Sequence, residues 1–175
     1  MNKVFNIGLV GCGHISETYF RAQEFFNNIK IIKCADINSN TANNCAKKYN
    51  IQAVTVEEIF KDKEVEIILN LTIPRAHFEI SKKSLLAGKH CYSEKPLCIN
   101  FEDGKKLLDL SKKNNLFLGS APDTFLGGGI QKTRNLMDEG LIGTVELGNA
   151  IFAFPGVQSY HCLLYTSDAA DDSLR

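Results

Sequence analysis

Ser93, Glu94, Lys95 and Pro96 follow directly on an apolar, β-rich run that closes at Tyr92. A lysine at the end of a buried strand, between a carboxylate and a proline, is a candidate for chemistry. Its ammonium can hydrogen-bond a substrate oxygen and stabilise charge in a transition state. Burial and neighbouring charge can also lower its pKa far enough for proton transfer. On its own the lysine could equally be a solvated strand-end residue. A second cluster lies near the N-terminus, where "GCGHIS" (11–16) reads G-x-G-x-x-S. Gly11 permits a tight turn, and Gly13 lets a diphosphate approach the backbone without meeting a Cβ. A helix opening behind them offers unpaired N–H groups to the phosphates. The third position needs only a small residue, which Ser16 supplies.

Asp36 follows Ser16 at the roughly twenty-residue offset expected of an acid that binds the adenosine ribose. A carboxylate accepts hydrogen bonds from both ribose hydroxyls and repels a 2′-phosphate. The next residues, "INSN" (37–40), supply no arginine to pair with such a phosphate. NAD is therefore expected, with NADP disfavoured. The bland alternative makes Gly11–Gly13 an ordinary turn and Asp36 a helix cap. Turn, strand–helix context and acid all agree against it.

These residues need elements to position them. "VFNIGLVG" (4–11) reads as a strand buried on both faces. Ile15, Tyr19, Ala22 and Phe26 recur with helical spacing after it. "KIIKCAD" (30–36) is a second strand, and Ala42, Cys45, Ala46 and Tyr49 mark a helix within 39–49. "VEIILNLTI" (65–73) is the most apolar strand, followed by a helix over 74–89 with Pro74 suited to its first turn. "HCYSEKP" is a strand, 101–115 a helix and 116–122 a strand. Strands alternating with helices of this length require crossovers, so the sheet is expected to be parallel with helices on both faces. The predicted fold class is α/β, a doubly wound parallel sheet. A further helix over roughly 125–140 (Leu126, Ile130, Met137 and Leu141 on one face) and a strand over 143–154 come next. "GGG" (127–129) lacks the GK[ST] that closes a phosphate loop and reads as a close-packed helix entry.

The 175 residues carry 20 basic and 20 acidic side chains and are 44% hydrophobic. Zero formal net charge gives no footprint for nucleic acid or an anionic membrane, and no apolar run is long enough to cross a bilayer. The N-terminus does not read as a signal peptide. Six cysteines (12, 34, 45, 91, 98 and 162) without a C-x-x-C pair read as reduced thiols in a cytoplasmic protein, with no metal site.

Four stretches, "GLVGCGHIS", "CAD", "TIPRAHFEISKKSLLAGKHCYSEKP" and "PDTFLGGGIQKTRNLMDEGLIGTV", together resemble the Gfo/Idh/MocA family of nicotinamide-dependent sugar oxidoreductases. The resemblance implies a Rossmann domain and a coenzyme-binding role for Gly11, Gly13, His14, Ile15 and Asp36. It places Thr72, Ile73 and Pro74 on the nicotinamide side. Glu94 would contact the coenzyme's ribose or orient Lys95, and Lys95 would stand near the reacting carbon. A cis Lys95–Pro96 bond is implied as well. His77 would face the same cleft as a second catalytic candidate, although a histidine in a helix's first turn is as readily a packing residue. The implied substrate is a sugar or polyol, and the full-length form is expected to be a homo-oligomer.

Family members continue into an α+β substrate domain. The expected organisation is therefore 1–122 for the dinucleotide-binding domain and 123–161 for a connecting helix and the truncated start of the next. "CLLYTSDAADDSLR" (162–175) resembles a translated sequencing adapter and is expected to be a non-native tail. Such a fragment would bind dinucleotide with little catalysis. The rival readings are a non-catalytic dinucleotide-binding or sensing module and, behind it, an S-adenosylmethionine methyltransferase. The last gives no reason for "SEKP" after "TIPRAH".

Overall fold

The computed structural model describes residues 3–122, 124–149, 151 and 153. Their elements run β1 (Phe5–Val10), α1 (Ser16–Ala22), β2 (Ile29–Ala35), α2 (Ser39–Tyr49), β3 (Gln52–Ala53) and α3 (Val56–Lys61). β4 (Ile67–Asn70), α4 (Pro74–Leu86), β5 (His90–Ser93), α5 (Phe101–Lys113), β6 (Leu118–Ser120) and α6 (Gly128–Asp138) follow. The six strands form one sheet in the order β3-β2-β1-β4-β5-β6, and every neighbouring pair is parallel. This is the doubly wound α/β arrangement, with its reversal of direction between β1 and β4.

Alternation along β1 explains the two-sided core. Ile7 and Leu9 enter one apolar cluster with Phe20, Ile31, Cys34, Ala42 and Leu69. Val10 enters the opposite one with Ala35, Ile59, Val65 and Ile68, as the period-two pleat requires. The Phe20 and Tyr49 rings stack 3.8 Å apart between α1 and α2. A third cluster, Leu85, Cys91 and Leu107, joins α4 and α5 to β5.

Helix ends are set by local chemistry. The Asn38 side chain accepts from the Asn40 and Thr41 N–H groups to open α2, and Asn50 closes it in the left-handed region at φ 51°. Thr55 and Glu58 cap α3 reciprocally. That short helix and two-residue β3 lie in a stretch, 50–64, that hydrophobic periodicity leaves unread. Thr55-x-x-Glu58 is the signal that marks it. Helix α1 ends at Ala22 and tightens into a 3-10 turn over Gln23–Phe25, which takes Phe26 out of the predicted stripe and leaves it 55% exposed.

Contacts divide the chain into two compact units between Phe125 and Leu126. The second contains α6, where Ile130 and Met137 are exposed. Described residues 143–149, 151 and 153 form no strand, which corrects the expected strand over 143–154. An extended segment becomes a strand only when another supplies the hydrogen-bond ladder. The rest of that stretch, and the tail over 162–175, lie outside the described residues. No helix among the described residues is long and apolar enough to cross a membrane.

At the amino end of the sheet, Lys89 is 6% exposed. Its ammonium donates to the carbonyls of Asp62 (2.5 Å) and Val65 (2.6 Å), while burial pulls its pKa down. Lys33 pairs with the Asp62 carboxylate and, at 3.2 Å, with Glu64. Lys33, then the Glu64 N–H, hold the Asp62 pKa below the ordinary carboxylate value. Lys89→Met removes the donor from the buried Val65 carbonyl and the part-buried Asp62 carbonyl, and should cost about 2 kcal/mol, read as a lower urea midpoint. Because the Asp62 pKa is depressed on folding, its contribution is complete above the unfolded carboxylate range and is lost as pH falls through the folded value. Asp62→Asn should therefore cost about 0.5–1 kcal/mol at neutral pH. It should also flatten the fall in stability between about pH 5 and pH 2, measured by urea denaturation across that range.

Candidate functional site

Ligands of an open parallel sheet lie beyond the carboxyl ends of its strands. The turn at 11–16 leaves β1 there, Asp36 leaves β2, Leu71–Pro74 leave β4 and Glu94–Pro96 leave β5. Gly11 has φ +98°, and a Cβ on it would lie 2.6 Å from the Leu71 carbonyl and 2.7 Å from the Thr72 nitrogen. Only glycine fits both that backbone angle and that contact. A Cβ on Gly13 would meet nothing within 4 Å, so its backbone borders open space. The Ser16 hydroxyl donates to the Gly13 carbonyl at 2.7 Å. The third position of the motif therefore uses its extra atom to close the turn.

Asp36 is oriented before any ligand arrives. Its Oδ2 accepts from the Cys12 N–H at 2.8 Å and its Oδ1 from the Asn38 N–H at 2.9 Å. Each oxygen retains lone-pair capacity for one further donor. Gly11 N–H bonds the Ala35 carbonyl at 2.9 Å, so turn and acid move as one piece. Beside them a cavity of about 800 Å³ is lined by Gly11, Gly13, Asp36, Thr55, Thr72 and Ile73, among others. His14, Ile15, Pro74, His77, Glu94 and Lys95 are not in its wall. His14 and Ile15 are exposed at the opening of α1, and Pro74 stands at the first position of α4. Thr55 and Glu57, which also line the cavity, come from the stretch whose elements the periodicity missed.

The β4 and β5 exits form a second, more polar assembly. Asn70, fully buried at the end of the most apolar strand, donates to the His77 carbonyl and to Ser81 Oγ, both at 3.0 Å. Its Oδ1 accepts from the Thr72 hydroxyl at 2.7 Å. An asparagine inside "VEIILNLTI" was the visible signal for this network, because a buried amide must be hydrogen-bonded. His77 is 1% exposed. Its Nδ1 faces the Pro96 carbonyl at 2.6 Å and its Nε2 the Thr72 carbonyl at 2.8 Å. The ring thus spans the two exits with both nitrogens on backbone oxygens. Glu94 Oε1 accepts from the Tyr19 hydroxyl at 2.8 Å, and Oε2 from the Lys95 N–H at 2.9 Å. Lys95 is exposed at this lip, and the Lys95–Pro96 bond is cis.

Three of the cysteines converge beneath the turn. The sulfurs of Cys12, Cys34 and Cys45 lie within 4.8 Å of one another in the buried core. Cys12 donates to the Ala35 carbonyl (3.6 Å) and Cys34 to the Ala42 carbonyl (3.5 Å). Hydrogen-bond contacts with Cys34 and Cys45, then burial, raise the Cys12 pKa, whereas contacts with Cys12 and Cys34 lower that of Cys45. Their sequence spacing gives no hint of this, because strand and helix bring them together. Packing as small apolar side chains with weak thiol donors accounts for the cluster.

Comparison with known proteins shows what the chain is similar to. The chain is 28% identical over 102 residues to D-xylose dehydrogenase of Paenarthrobacter nicotinovorans, covering 57% of this chain and 26% of that protein. It is 25% identical over 114 residues to inositol 2-dehydrogenase of Salmonella typhimurium, covering 63% and 33%. The structure of the WlbA dehydrogenase from Bordetella pertussis, solved with NADH and UDP-GlcNAcA, superposes with a TM-score of 0.77 at 19% identity. It covers 82% of this chain and 42% of that one. The chain thus spans between a quarter and a third of the length of these curated relatives. Residues 5–121 match the GFO_IDH_MocA model, an oxidoreductase family with an NAD-binding Rossmann fold, and the chain belongs to that family.

Proposed function

We propose that this chain is the coenzyme-binding half of an NAD-dependent dehydrogenase or reductase that moves hydride to or from a sugar, polyol or related hydroxy or keto compound. The observation that carries the reading is the common edge. The Gly13 backbone borders open space beside a pre-oriented Asp36 carboxylate, and Lys95 stands on the same carboxyl-terminal rim. The diphosphate would lie over Gly11–Gly13 at the opening of α1, near His14 and Ile15, with the adenosine ribose on Asp36. The nicotinamide would extend toward Thr72, Ile73 and Pro74, with Glu94 at its ribose and Lys95 beside the reacting carbon. When bound, the coenzyme supplies or accepts the hydride. The chain's part is to hold it, to exclude water and to offer the Lys95 ammonium to the substrate oxygen. The names of the dehydrogenase relatives support a sugar or polyol as substrate.

Asp36 supports NAD over NADP, because a 2′-phosphate would face a carboxylate already fixed by two N–H groups. On this reading, further substrate-binding residues would come from a following domain, and this chain alone should bind NADH and turn over little. The full-length protein would be a homo-oligomer in the cytoplasm.

Fluorescence titration of this chain with NADH and NADPH tests the reading directly. NADH should bind at least about tenfold more tightly than NADPH, and Asp36→Asn should erase most of that difference by removing one charge. Equal affinities in the unaltered chain would overturn the choice of coenzyme. Lys95→Ala should leave NADH binding within about threefold. In a longer protein carrying the substrate domain, the same change should lower turnover by about a hundredfold or more. Unchanged turnover there would leave a dinucleotide-binding role and remove Lys95 from the chemistry.

A further inference from the structure

We propose that Tyr19 is a positioning residue that ties the coenzyme's diphosphate turn to Lys95 through the Glu94 carboxylate. The inference rests on the coenzyme-binding reading above and names a residue that its periodicity marked only as part of a helical stripe.

Tyr19 sits on α1, the helix that opens directly from the glycine turn. Its ring packs edge-on against Tyr92, with centroids 6.5 Å apart at 62°, and this directs the side chain along β5 toward the strand's exit. The hydroxyl reaches Glu94 Oε1 at 2.8 Å. The other carboxylate oxygen accepts the Lys95 N–H at 2.9 Å, and the Glu94 N–H is held by the Asn70 carbonyl at 2.8 Å. Three successive residues are therefore fixed from three directions. Glu94 is held by Tyr19 and β4, the Lys95 amide by Glu94, and the Pro96 carbonyl by His77 at 2.6 Å.

His77 and Asn70 tie the Lys95 segment to the β4 exit. Tyr19 ties it to the element that carries the phosphate turn, seventy-five positions away in sequence. A hydrogen bond to an ionised carboxylate is among the stronger neutral-donor contacts. It fixes the chain on which the ammonium is carried, not the ammonium itself. A coenzyme seated on the turn would thus find Lys95 already in register with its nicotinamide, and loss of the hydroxyl would let the lysine stray while the diphosphate stays bound.

The test compares the unaltered chain with Tyr19→Phe, which keeps the ring on Tyr92 and removes only the donor. Lys95 acylation by a small N-hydroxysuccinimide ester is followed by peptide mass spectrometry with and without saturating NADH, alongside fluorescence titration of NADH. In the unaltered chain NADH should slow Lys95 acylation. In Tyr19→Phe the NADH affinity should stay within about threefold while the protection falls by about tenfold, the equivalent of one charge-assisted hydrogen bond. Equal protection in both proteins overturns the proposal, as does loss of protection that merely parallels loss of NADH binding. NADH that binds the unaltered chain without shielding Lys95 defeats the coenzyme placement itself, a different failure. Should Tyr19→Phe not fold, Tyr19→Leu removes the same donor and must give the same loss of protection.

Discussion

The site is organised around one close approach, that of the turn leaving β1 to the segment leaving β4. Gly11 lies so near the Leu71 carbonyl and the Thr72 nitrogen that a methyl group would not fit. Leu71 N–H in turn bonds the Val10 carbonyl at 2.8 Å. Neighbouring parallel strands here are the two whose crossovers wind in opposite directions, which is why a crevice opens between their exits. Closing that gap at Gly11 fixes how far the Gly13 backbone stands from Thr72 and Ile73. It also fixes the Cys12 N–H that holds Asp36. One tight van der Waals contact therefore sets the spacing of the whole rim.

Much of this was written plainly in the sequence, and particular residues show why. The β1–turn–α1 unit was legible because buried parallel strands are continuous apolar runs and because glycine has few other reasons to recur at that spacing. Asp36 was legible because its offset is set by the length of one helix and one strand. β3 and α3 escaped, since a two-residue strand and a six-residue helix are too short for any period to register. The 143–154 segment shows the opposite error: it was expected to be a strand, yet its described residues form none.

Contacts that bind distant segments were illegible in principle. Nothing local in "SETYF" tells that the tyrosine hydroxyl ends on Glu94, or that His77 bridges two strand exits. Single side chains there reach oxygens on distant segments, and those meetings are set by the fold and not by neighbours in sequence. His77 illustrates the point. The family resemblance made it a catalytic candidate facing the cleft, and the fold buries its ring between the Pro96 and Thr72 carbonyls at the β4 and β5 exits. The cysteine triplet is similar, with three unremarkable positions converging only after strand and helix have packed.

The lysine pair at the opposite end of the sheet has a consequence of its own. Lys33 and Lys89 lash the approach to β4 to β2 and to the α4–β5 corner, using the Asp62 carboxylate and the carbonyls of Asp62 and Val65. This anchorage owes nothing to the rim where coenzyme would lie. A scaffold moored at its far edge leaves the ligand-facing loops free to be rewritten, residue by residue, without loosening the sheet of strands beneath. The same backbone could thereby carry a different small-molecule site on an unchanged base.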